Sequence, residues 1–217
     1  MRTRIKICGI TRVADGLAAV SAGADAIGLV FYDKSPRNVS IDQAAEICKA
    51  MPSFVSRVAL FVDESPETVK TILKHVEIDC LQFHGSETNE YCKQFGKPFF
   101  KAIHAKSKAF LDDQMAKFPD ASSLLLDTYV ADVVGGSGKT FDWTLFNHAK
   151  KSIASAVILA GGLTPENIVN AIVQTQPYAV DVSGGVEASK GIKDSNKIEM
   201  FIDQVKQADL LLESQRK

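Results

Sequence analysis

No apolar run in this 217-residue chain approaches the ~20 residues that a membrane-spanning helix needs, so no membrane partner is expected. Neither sign of charge dominates. The formal net charge of −1 gives no reason to expect a nucleic-acid partner or an acidic membrane surface. Cysteine is scarce and scattered: Cys8, Cys48, Cys80 and Cys92 form no C-x-x-C pair and no Cys/His cluster at zinc spacing. Free thiols in a reducing compartment fit best, and three of the four read as small buried hydrophobes. The N-terminus, MRTRIKICGITR, is basic but is followed by no long apolar region, which argues against a secretory signal and for a cytoplasmic location. There is no low-complexity linker, no charge block and no break in composition. With 46% apolar residues, one domain over 1–217 is expected.

Short apolar runs alternate with helical stretches from end to end. The runs are RIKICGI, DAIGLVF, SRVALFV, DCLQFHG, PFFKAIH, SLLLDT, AVILAGG and YAVDVSGG. Eight such units are what a closed (β/α)8 barrel, the TIM barrel, requires. An open doubly wound sheet ranks second, because it usually has fewer strands and a switch point. Local signals mark the helix ends. Ser40 and Gln43 form a capping box, Ser65-Pro66 and Thr164-Pro165 place a capping hydroxyl before a first-turn proline, and Gly23 falls at a C-cap.

Side chains alternate between the two faces of a strand. Ile5 and Ile7 share one parity, Lys6 and Cys8 the other. Leu81 and Phe83 oppose Gln82 and His84, and Val180 and Val182 oppose Asp181 and Ser183. The apolar parity is expected against the helices and the polar parity toward the barrel axis. Asp127 ends its strand after three leucines. Singly, Lys6 reads as a rim lysine, His84 as a core histidine and Asp181 as a structural acceptor. Together they mark the carboxyl ends of the strands, where barrel enzymes keep their sites. Gly161-Gly162 and Ser183-Gly184-Gly185 follow the last two strands, where barrels often bind phosphate through backbone N–H groups.

The run VVGGSGKT, 133–140, ends like a nucleotide-binding P-loop. That motif needs a glycine five residues before Gly138, and Val133 stands there. A loop that folds over substrate is the better reading, and stiffening Gly135-Gly136 with prolines is expected to lower activity.

KICGITR, GLVFYDKSPRNVS, LQFHGSE, LLLDT followed by GGSGKTFDW, AGGLTPENI and DVSGGVE occur in order. Together these segments, from about residue 4 to Gly191, resemble the phosphoribosylanthranilate isomerases of tryptophan biosynthesis. The resemblance implies a cofactor-free, metal-free Amadori rearrangement of a small-molecule substrate, N-(5′-phosphoribosyl)anthranilate. Neighbouring enzymes of the tryptophan pathway are possible protein partners. By motif match, Cys8 falls on the family's general base, Asp127 on its general acid and Arg37 on the residue that grips the anthranilate carboxylate. Gly161, Gly162, Ser183, Gly184 and Gly185 fall on the phosphate site. Lys6, His84 and Asp181 take supporting roles on parity grounds, and a cation at Lys6 would favour the Cys8 thiolate. The related histidine-pathway isomerase carries Asp where this chain has Cys8. A P-loop switch and a non-catalytic phospho-sugar sensor are the readings from other classes.

Overall fold

A computed structural model describes residues 2–104, 106–127, 143–152 and 156–215. Eight strands, β1 (Arg4–Cys8), β2 (Ala26–Phe31), β3 (Ser56–Phe61), β4 (Cys80–Phe83), β5 (Phe99–His104), β6 (Ser123–Asp127), β7 (Ala156–Ala160) and β8 (Ala179–Val182), form a closed barrel in sequence order. All pairings are parallel, and β1 closes on β8 with Lys6 opposite Asp181. The helices that follow are α1 (Val13–Ala22), α2 (Ile41–Ala50), α3 (Pro66–His75), α4 (Asn89–Lys93), α5 (Lys108–Lys117), α6 (Trp143–Ser152), α7 (Ile168–Thr175) and α8 (Ser195–Ser214). The (β/α)8 barrel expected from the eight runs is the architecture found. No helix among the described residues is long and apolar enough to cross a membrane.

The period-two alternation decides what each strand face meets. Ile5, Ile7, Leu81, Phe83, Leu124, Leu126, Val180 and Val182 lie in the outer core, with Val69, Ile72, Leu111, Ile172 and Phe201 from the helices. Phe83 is packed there against Phe61, Phe95 and Phe99, and meets Tyr91 edge-on. The opposite parity fills the barrel. Val58, Phe100, Ala102, Leu125, Ile158 and Ala179 make an apolar plug. Cys8, Val30 and Leu60 form a smaller cluster above it. This plug gives the polar side chains at the strand ends a dry floor.

The caps follow the sequence in three of four places. Ser40 and Gln43 form the full capping box, Ser65 accepts from the Thr68 N–H ahead of Pro66, and Gly23 takes the left-handed C-cap conformation at φ 113°. The fourth is corrected: α7 begins at Ile168, not at Thr164-Pro165. Asn167 ties the loop back on itself. Its Oδ1 accepts from the Thr164 N–H at 2.9 Å and its Nδ2 donates to the Gly162 carbonyl at 2.9 Å. The segment 164–167 is therefore a turn that fixes the Gly161-Gly162 loop. The run 133–140 lies outside the described residues.

Candidate active site

A cavity of about 620 Å³ opens at the carboxyl ends of the strands. That is the size of a small-molecule site. Cys8, Arg37, His84, Asp127, Gly161, Gly162, Asp181, Ser183, Gly184 and Gly185 all line it, along with Gln82 and Tyr32. Of the residues singled out in the sequence, Lys6 alone is not on the wall. It lies beneath, 5% exposed, and its Nζ donates to Asp181 Oδ1 at 2.9 Å.

Around Cys8 the electrostatics conflict. Burial pushes the thiol pKa up, and the neighbouring Lys6 ammonium pulls it down without fully offsetting that rise. Burial also works against the charge on Lys6, yet Asp181 and Cys8 hold its pKa above the ordinary lysine value. Burial raises Asp181 against the pull of Lys6. Lys6 thus pulls toward the thiolate, but burial outweighs it and holds the thiol pKa above its ordinary value.

Space for this cluster comes from a residue the motif reading did not assign. Gly28, in the middle of β2, pairs with Cys8 across the sheet. A Cβ there would stand 2.8 Å from Cys8 Sγ and 3.0 Å from Lys6 Nζ. An isolated glycine within a strand signals just such a close approach.

Asp127 ends β6 directly above Leu125 of the plug, 17% exposed at its side chain. Its Oδ2 lies 3.4 Å from His84 Nε2. Behind His84, Gln82 presents its amide nitrogen 3.4 Å from Nδ1. Gln82 is 1% exposed, and its Oε1 has no hydrogen-bond partner among the described residues. Turning the amide over would give Oε1 the Nδ1–H and leave the Nε2 lone pair facing Asp127. The orientation of this amide therefore selects the histidine tautomer that the carboxyl meets.

Arg37 follows Pro36 in the loop after β2. Its Nε and Nη2 each donate to Glu187 at 2.7 Å. Glu187 is buried and also accepts from Lys193 Nζ at 2.9 Å. Burial opposes the Glu187 charge, but Arg37 and Lys193 hold its pKa below the usual carboxylate range. The side edge of the guanidinium is thus occupied, leaving the Nη1–Nη2 edge for a ligand. Glu187 stands within DVSGGVE, and its distance in sequence from Arg37 hid the pairing. Gly9, at φ 74°, lies under the Arg37 side chain, where any Cβ would overlap it.

The two glycine segments meet each other. Gly161 and Gly162 have φ 90° and 64°. A Cβ on Gly185 would fall inside the Leu163 carbonyl. Only glycine lets these backbones approach so closely. Ser183 is already engaged, its Oγ donating to the Cys8 carbonyl at 3.0 Å and Lys193 donating to its carbonyl at 3.1 Å.

A closed (β/α)8 barrel with a thiol, a carboxyl and a bound arginine around one cavity defines an enzyme of the barrel class. Residues 5–204 match the family model described as N-(5′phosphoribosyl)anthranilate (PRA) isomerase. The chain belongs to that family and is an isomerase. It is 53% identical over 203 residues to the N-(5′-phosphoribosyl)anthranilate isomerase of Pseudomonas aeruginosa (strain LESB58), covering 94% of this chain and 95% of that one. The crystal structure of phosphoribosyl anthranilate isomerase from Thermotoga maritima superposes with a TM-score of 0.87 at 40% identity, over 94% of this chain and 99% of that chain. A further crystal structure of phosphoribosyl anthranilate isomerase is a complex with reduced 1-(o-carboxyphenylamino)-1-deoxyribulose 5-phosphate. It matches at TM-score 0.84 and 38% identity, over 94% and 99%.

Proposed function

We propose that this chain converts N-(5′-phosphoribosyl)anthranilate to 1-(2-carboxyphenylamino)-1-deoxyribulose 5-phosphate, a cofactor-free step of tryptophan biosynthesis, with Asp127 as general acid and Cys8 as general base. The observation that carries this reading is the convergence of Cys8 and Asp127 from separate strands on one cavity. A relative of the same fold is solved with a reduced form of that product.

The chemistry assigns each group a task. Asp127 gives its proton to the furanose ring oxygen, the C1′–O bond breaks, and C1′ and nitrogen form an iminium. That cation acidifies C2′–H. The Cys8 thiolate takes the C2′ proton, and the bonding electrons neutralise the iminium as an enolamine. Proton return to C1′ and loss of the 2′-hydroxyl proton give the ketone. Keeping a carboxyl that normally titrates near 3.9 protonated at pH 7 costs about 4 kcal/mol. A His84 whose Nε2 lone pair faces Asp127 lowers that cost, because it accepts from the protonated form. The free edge of Arg37 suits the anthranilate carboxylate, while Glu187 holds the other edge. The Gly161-Gly162 and Gly184-Gly185 backbones suit the phosphate. Asp181 keeps Lys6 charged near Cys8.

The test is turnover of phosphoribosylanthranilate generated in place, followed by loss of its fluorescence. Wild type is expected to consume it rapidly. Cys8→Ala and Asp127→Asn are expected to lose about 10²–10⁴-fold, the usual worth of a positioned acid or base. A folded wild type that leaves the substrate untouched overturns the reading.

A further inference from the structure

The reaction proposed above leaves one neighbour of the acid without a task. His104 ends β5, exposed to solvent, and pairs in register with Asp127 on β6. Its ring centroid is 5.5 Å from that of His84 at the end of β4. One ligand atom each from His84, His104 and Asp127 lies within 4.8 Å of the others. Three consecutive strands thus bring two imidazoles and a carboxylate to one point, although no two of these residues are close in sequence.

We propose that His84, His104 and Asp127 bind a first-row transition-metal ion of the Zn²⁺ class, and that occupancy switches the isomerase off. The inhibitory half rests on Asp127 acting as the acid; the binding half does not. Imidazole nitrogen and carboxylate oxygen suit this class of ion, at bonds of about 2.0–2.2 Å. Two ligands of a tetrahedral ion at such distances stand about 3.4 Å apart, which is the separation of His84 Nε2 and Asp127 Oδ2. Bringing donors that lie within 4.8 Å of one another to that spacing asks for a movement of up to about 1.4 Å, which rotation of the exposed His104 side chain can make.

The Gln82 amide is compatible with this ligation. A histidine bound to metal through Nε2 carries its proton on Nδ1 and normally donates it to an oxygen. The buried Oε1 of Gln82, unpartnered among the described residues, belongs to the amide that already faces His84 Nδ1. Metal capture and satisfaction of that oxygen are achieved by the same turn of the amide. With its carboxylate on the ion, Asp127 can no longer hand a proton to the furanose oxygen. His104 is not on the wall of the cavity that Cys8, Arg37 and Asp127 share, and the proposed reaction gives it no step.

The experiment titrates metal-free protein with Co²⁺, a coloured stand-in, and with Zn²⁺ by calorimetry. Isomerase activity is measured in parallel with and without chelator. Wild type is expected to show weak d–d bands without a sulfur charge-transfer band. Zn²⁺ should inhibit it, and EDTA should restore it. His104→Ala should keep its metal-free activity but bind at least ~10-fold more weakly, as losing a supporting ligand contact does at other sites, and resist Zn²⁺ to the same degree. No binding, unchanged binding in His104→Ala, or a thiolate band pointing to Cys8 would overturn the site. Tight binding at these residues without inhibition would leave the site standing and remove Asp127 from its role as acid.

Discussion

Gly28→Ala replaces one Cα hydrogen with a methyl group at a crowded point of the active site. The new Cβ stands 2.8 Å from Cys8 Sγ and 3.0 Å from Lys6 Cε and Nζ. Comfortable contacts lie near 3.5–4.0 Å, so the overlap is about 1 Å. Lys6 is bonded to Asp181 at 2.9 Å, and Cys8 is buried on the adjacent strand, so neither can retreat without disturbing the cluster. Overpacking of this kind costs about 1–3 kcal/mol of stability. For a chain of this size that lowers Tm by about 2–4 °C per kcal/mol. Catalysis is expected to suffer more. Displacing a catalytic group by about 1 Å can cost ~100-fold, or ~2.7 kcal/mol in barrier. Thermal scanning and the fluorescence assay on the same preparation separate the two effects. A folded Gly28→Ala with kcat/KM within about twofold of wild type would show that this glycine does not make the room that Cys8 needs.

Two further substitutions probe the charged clusters. Lys6→Met removes the group that pulls the Cys8 pKa down and leaves the burial that pushes it up. The rise of kcat/KM with pH, which follows the thiolate, is expected at higher pH than in wild type; a thiol-probe titration that gives the same Cys8 pKa would contradict this. Glu187→Gln breaks the fork on Arg37 and strands the buried Lys193 ammonium. We expect a raised KM and a loss of about 3–5 kcal/mol at pH 7. The pH sign follows from a folded pKa held below the unfolded carboxylate value of about 4.3. Wild type has this stabilisation above that value and loses it as pH falls through the folded pKa, so the gap to the variant should narrow in acid. A constant gap from pH 7 to pH 3 would refute it.

Much of this was legible before any coordinates. Alternation of one apolar and one polar parity in RIKIC, CLQF and AVDV is enough to place Lys6, Cys8, Gln82 and Asp181 inside the barrel, because a strand has only two faces. Capping at Ser40 and Ser65 was equally readable, since those bonds span three residues. What escaped depends on contacts between distant segments. Arg37 meets Glu187 across 150 positions, and no local pattern carries that. The Thr164 cap failed because the Thr164 side chain bonds Glu166 instead, while Asn167 holds the segment as a turn. His84, His104 and Asp127 converge only because β4, β5 and β6 are neighbours in the closed sheet. Residues 84, 104 and 127 are too far apart in sequence to show a local zinc spacing.

The ion pair between Lys6 and Asp181 also sets an order of events in the making of the protein. Cys8 and Lys6 lie on the first strand, while Asp181, the partner of Lys6, lies 175 residues downstream of it. At about 5–20 residues per second, synthesis takes roughly 10–35 s to cover that distance. Throughout that interval Cys8 lies on an unclosed sheet, beside a Lys6 that has not yet met Asp181. Thiol labelling of nascent chains stalled before and after 179–182 emerge should show its reactivity changing in one step. The final reactivity reached before β8 is out would disprove this sequence. The first strand thus carries a group whose electrical surroundings are completed only by the last.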